Sequence, residues 1–122
     1  MWIFDAAAEA SISFVEFVPA TWERFDVQLW WTGLGSNGDP GEVAWQLSHR
    51  FQTGTTVARD LEDGPVIADA LPAPPEIAIT TLVEGLADSG GIYTVRVTRV
   101  ASDERDTAQE PAALYALVLR RS

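Results

Sequence analysis

Residues 33–38 read GLGSNG, and Gly33, Gly35 and Gly38 match the G-x-G-x-x-G spacing that cradles a dinucleotide pyrophosphate. That chemistry needs a strand, a tight turn and a helix, because the pyrophosphate rests on the helix N-terminus. The strand is there: FDVQLWWT comes just before the glycines. The helix is not, because the chain continues GDPGEVAWQLSHRF. Asp39-Pro40-Gly41 is turn chemistry, and a period-two run follows it. The stretch therefore reads as a hairpin loop joining two strands rich in Trp, with glycines supplying positive φ. No cofactor is expected.

Other reactive combinations are equally thin. Asn37, Asp39 and Glu42 loosely echo a calcium loop but lack its fixed Gly and late bidentate Glu. Asp60, Glu62 and Asp63 make a second acidic turn, read as solvated in the same way. With no Cys and a single His, disulfides, thiolate chemistry and structural zinc drop out, and no metal site is expected. His49 falls in phase with Val43, Trp45, Leu47 and Phe51. A Ser and an Asp beside it would make a general-base system, but no G-x-S-x-G elbow is present. His49 is read as a hydrogen-bonded core or interface residue. Among 18 acidic residues some carboxylate pair is inevitable in space, so no pair signals glycoside hydrolysis. No catalytic residue is assigned and no enzyme is expected.

The aromatic and basic residues are more informative. Of the five Trp, Trp31 and Trp45 fall on apolar strand faces, whereas Trp30 falls among Asp26, Gln28 and Thr32. An outward Trp on a sheet either stacks on a sugar ring or is buried by another subunit. Trp22 raises the same question. MWIF at the start, with Trp2 and Phe4, is too apolar to be left in water, so it either adds to a sheet or docks on a partner. Arg96 shares a strand face with Ile92, and Arg99 shares one with Tyr93, Val95 and Val97. An Arg on such a face suggests burial against a carboxylate, across an interface or within the chain, against the alternative of a solvated strand end. Trp2, Phe4, Trp22, Trp30, Arg96 and Arg99 are thus the candidate interface or glycan-contact residues.

The elements that must hold these residues are strands. ASISFVEFV (10–18), FDVQLWWT (25–32) and EVAWQLSHRF (42–51) are β-branched and aromatic, and the last two alternate with period two. Shorter strands are expected at 55–61 and 65–69, then at 77–82, 91–101 and 112–121. AAAE near residue 8 and LVEGLAD at 82–88 could each hold a helical turn, the second interrupted by Gly85. ALPAPPE at 70–76 reads as a stiff crossover between sheets. About eight short strands separated by turn residues predict an all-β chain: a single antiparallel β-sandwich of jelly-roll type, with a small barrel as the alternative. Residues 1–8 are expected to be an N-terminal arm and docking segment, and residues 9–122 the sandwich domain.

Composition narrows the partners. The chain has 122 residues, a net charge of −10, and arginine as its only basic residue besides His49. Such a chain repels phosphate backbones and anionic bilayers, so neither nucleic acid nor membrane is an expected partner. The first residues carry Asp5 and Glu9 and no basic n-region, so the chain is expected to start near Met1 and to be made in the cytoplasm. LYALVL, in the last strand, runs six residues without charge. On a sheet edge it would be an aggregation hazard, which a closed symmetric oligomer would remove.

One resemblance covers nearly the whole chain. It rests on Trp2 to Phe4, Ser11-Ile12-Ser13-Phe14, Pro19-Ala20-Thr21-Trp22, Trp30-Trp31 before the Gly-rich loop, and Val43-Ala44-Trp45. It continues through Val97-Thr98-Arg99, Asp106-Thr107 and Ala113 to Leu119. This order of short motifs resembles small jelly-roll proteins of tailed-bacteriophage particles, found as head decorations, head fibres or tail-fibre tips. The resemblance implies a homotrimer attached to other virion proteins such as the capsid or a fibre base, so the expected location is the virion. A cell-surface polysaccharide is a further implied ligand. It supplies no catalytic residues. The chain has no coiled-coil or collagen-like stalk, which favours a compact piece sitting directly on a capsid as a decoration or short head spike. The alternative is a carbohydrate-binding receptor-recognition module of a tail or head fibre.

Overall fold

The computed structural model describes residues 1–34, 41–53, 60–72 and 76–122. Among them there are eight strands and no helix: β1 Trp2–Phe4, β2 Ala10–Val18, β3 Phe25–Gly33, β4 Glu42–Gln52, β5 Glu62–Ala70, β6 Ala78–Leu86, β7 Gly91–Arg99 and β8 Ala112–Arg121. They form two four-stranded antiparallel sheets, sheet A in the order β1-β8-β3-β6 and sheet B in the order β2-β7-β4-β5. The expected β-sandwich is what the chain forms. Its strands nest like a long hairpin folded over: β1 lies on β8, β2 on β7, β3 on β6 and β4 on β5.

Alternation explains why these segments are strands. Phe25, Val27, Leu29 and Trp31 point inward from β3, and Tyr93, Val95, Val97 and Arg99 from β7. Each strand shows one apolar face to the interior, which is what a two-layer core needs. The core is joined by edge-to-face rings: Phe4 on Trp45 at 5.2 Å, Trp45 on Trp31 at 5.4 Å, and Phe25 on Tyr93 at 5.4 Å. Such pairs add about 0.5–1.5 kcal/mol each beyond the area they bury. One polar chain crosses this interior. Trp31 Nε1 donates to Thr80 Oγ1 at 2.8 Å, and Thr80 donates on to Asp69 Oδ2 at 2.7 Å, tying β3 and β6 to β5 of the other sheet.

Several expectations need correction. β3 and β4 lie in different sheets and do not pair, so they do not form the expected hairpin. Gly35 and Gly38, with Asn37 and Asp39, fall outside the described residues. Gly41 has no positive φ; it is required by close approach, since a Cβ there would lie 2.5 Å from the Ala108 Cα. LVEGLAD is strand through Leu86, and Gly85, at φ +66°, bends β6 without ending it. Most of the expected 55–61 strand lies outside the described residues, while Asp60 and Leu61 are not in a strand. β5 and β6 sit in opposite sheets, so ALPAPPE joins the sheets as expected, although Ala73, Pro74 and Pro75 are outside the described residues.

The two ends of the chain meet in sheet A. Of the two fates expected for MWIF, Trp2–Phe4 takes the first and adds to the sheet, pairing with Leu114 to Ala112. β1 and β3 flank β8 from Ala112 to Leu114, so LYALVL is covered on both sides only at Leu114; from Tyr115 on, no strand lies along its outer edge among the described residues.

Candidate functional site

Arg99 is fully buried, and its carboxylate partner belongs to its own chain. Its Nε and Nη2 hold both oxygens of Asp106 at 3.0 and 2.9 Å. Nη1 donates to the carbonyls of Phe4 and Glu110, and Nη2 also donates to Ala108. All five guanidinium N–H groups are thereby satisfied. Asp106 also accepts from the Ala44 amide, and Thr107 Oγ1 accepts from Glu42 N. The cluster clamps β1, β4 and β7 onto the segment leading into β8. It is an internal tie, and Arg99 offers no surface to a partner, contrary to its expected place among the interface residues. Phe4 offers none either, being buried against Trp45.

His49 sits on the inner side of β4, where its Nδ1 meets the Tyr93 hydroxyl at 2.5 Å. Burial lowers its pKa, opposed by the carboxylates of Glu62 and Asp88. Burial also pushes the Tyr93 phenol well above its ordinary range. Ser48 takes the opposite face of β4 and donates to Asp63 at 2.5 Å. Consecutive positions on a strand point apart, so this Ser–Asp pair cannot face His49 as a triad would require. Among the described residues no group of three or more His, Cys, Asp or Glu is placed to hold a metal ion.

Two more of the expected residues are partly committed to packing. Trp22 closes a turn by donating its amide to the Pro19 carbonyl, and its ring leans on Phe25. Trp2 packs edge-on against Phe14 at 5.0 Å while staying partly exposed. Arg96 stands exposed on the outer face of sheet B, between Ser13 of β2 and Ser48 of β4.

Trp30 points outward from sheet A, as its phase in β3 predicts, with 38% of its surface exposed. Its neighbours across the sheet are Ala116 of β8 and Ile79 of β6. The next row is Val118, Gln28 and Thr81. Gln28 Oε1 accepts a long hydrogen bond, 3.4 Å, from the Trp30 indole. Ile79, Tyr115 and Ile3 are also exposed on this sheet. The two rows carry no charge, although the chain has a net charge of −10. This surface is the candidate site. Ile79 and Tyr115 were not singled out from the sequence. Their alternation was readable, but joining them to Trp30 requires knowing that β3 lies between β6 and β8.

No family model matches the chain, and no curated protein matches its sequence.

Proposed function

We propose that this protein is a non-enzymatic structural component of a tailed-bacteriophage particle. In this reading it is a capsid decoration or short head spike that acts as a homotrimer and sits on other virion proteins. The observation that carries the reading is the uncharged row Ile79–Trp30–Ala116 on the outer face of sheet A. An apolar ladder on the face of so acidic a chain is the surface a second copy of the chain would cover. The nested strand order agrees with the jelly-roll sandwich that the phage resemblance implies. The Pro19–Trp22 turn and the Asp106-Thr107 tie give two of its short motifs a structural role. Exposed Ile3 and Met1, at the end of this face, are the residues of the N-terminal segment left to contact a capsid.

A second reading has its own support. The exposed Trp30 ring lies beside the Gln28 amide, the pairing of a flat apolar face with a polar group that a sugar ring uses. Trp30→Ala separates the two. As an interface residue it should lower the mass of the assembly. As a sugar platform it should leave the mass intact and abolish binding to surface polysaccharide. A chain that hydrolyses a substrate would overturn both.

A further inference from the structure

Among the described residues the sandwich has several free strand edges, and all but one are protected. β1 is only three residues long. β5 carries Glu62, Asp63 and Asp69, has Pro65 within it, and its Val66 carbonyl accepts from Arg105 Nη2 at 3.1 Å. β6 has register shifts against β3, an exposed Glu84, and Gly85 at φ +66°. The part of β8 beyond β1 has a register shift beside Tyr115 and ends in Arg120 and Arg121. Short length, charge, proline and bulges are the means by which proteins stop strands from pairing with other chains.

β2 has almost none of these. Its nine residues, ASISFVEFV, contain no Gly or Pro and one charge, Glu16. Its register on β7 runs without a break from Ala10 opposite Arg99 to Val18 opposite Gly91. Val15 and Phe17 are each 66% exposed, and Ile92 beside Phe17 on β7 extends the apolar patch. Among the described residues no strand covers its outer edge.

We infer that the β2 edge binds the β2 edge of a second copy of this chain, antiparallel about a two-fold axis, so that two B sheets become one. Facing residues in an antiparallel pair point to the same side, so the axis must pass through a residue position. An axis at Phe14 pairs all nine residues. It sets Val15 opposite the second copy's Ser13, Phe17 opposite its Ser11, and Glu16 opposite its Ile12. The two Glu16 carboxylates do not face each other, so two acidic chains meet along their least charged edge. The pairing satisfies backbone groups that alternate along the free edge, and it sets the two Val15 side chains diagonally across the axis from each other. It uses the opposite sheet from Trp30 and does not depend on the phage reading.

The test is light scattering on the full chain and on the Val15→Lys/Phe17→Lys double variant. Both positions face outward, so the fold should survive, with an unchanged far-ultraviolet circular dichroism spectrum. The wild-type particle should contain an even number of chains of 13.3 kDa, and the variant at most half as many. Loss of the Trp30 contact would instead reduce the mass threefold, so the two failures are distinguishable. The chain has no cysteine, which permits a second check. A mixture of Ser13→Cys and Val15→Cys chains should form disulfide-linked dimers on oxidation, more readily than either alone, because these positions face each other in the proposed register. A particle with an odd number of chains, a mass indifferent to the double variant, or no preferential cross-linking in the mixture would overturn the proposal. In the last two cases the edge is left for a strand of a different protein.

Discussion

Trp30 and Trp31 are neighbours in the chain and turn opposite ways. Trp31 is completely buried, its indole N–H held by Thr80 at 2.8 Å and its ring set against Trp45. Trp30 lies half-exposed in an uncharged row, with one long bond to Gln28. The same contrast separates Arg99, with every donor used inside the protein, from Arg96, exposed three residues earlier. Residue type alone therefore does not mark function in this molecule. What marks it is a group whose chemistry the fold leaves unused. Buried polar groups such as Arg99, Asp106 and Thr80 tie elements of the fold together, whereas the outer face of sheet A presents an uncharged row around Trp30.

Substitution inside each pair should show this asymmetry. Arg99→Met should have the largest effect, because it leaves the Asp106 carboxylate and three carbonyls buried without their donor. Breaking one side of a buried pair costs about 3–5 kcal/mol, to be read as a fall in chemical-denaturation stability. Arg96→Met should stay within about 0.5 kcal/mol of wild type in the same measurement. Equal losses would erase the distinction between the two arginines. Phe4→Ala should cost about 3–5 kcal/mol as well, since it opens a cavity against Trp45. A neutral result would return Phe4 to a detachable docking arm.

Thr80→Val should cost less, about 1–3 kcal/mol, by stranding the Trp31 N–H and one Asp69 contact. The smallest effect expected is that of pH through His49. Its folded pKa lies below the ordinary imidazole value of 6.5, so the unfolded chain takes up the proton more readily. This contribution to stability is complete above that value and is lost as pH falls below it toward the folded pKa. The urea midpoint of wild type should fall more between pH 7.5 and pH 5.5 than that of His49→Gln. Identical pH dependence would remove His49 from the account.

Much of the fold was legible because period-two alternation is a local signal. β2 was readable end to end, and the bodies of β3, β4, β7 and β8 followed from the same pattern. LVEGLAD misled because short-range helix propensity was overruled by pairing with β3. The hairpin expected at Gly33–Gly41 misled because two good strands in succession say nothing about whether they share a sheet. The outward turn of Trp30 was readable for the same local reason, but its neighbours Ile79 and Ala116 come from segments far along the chain. For Arg99, burial against a carboxylate was one of two readings, beside a solvated strand end. That Asp106, seven residues on, would meet it depended on the turn between them, which alternation does not encode.

The most direct measurement is the solution mass of the wild-type protein by light scattering over a dilution series. If sheet A is an interface between copies, the mass should correspond to three chains of 13.3 kDa, or to six where the β2 edges also pair. Trp30→Ala should lower it while leaving the fold intact. A monomer or a dimer at every concentration, or a trimer indifferent to Trp30→Ala, would contradict the account.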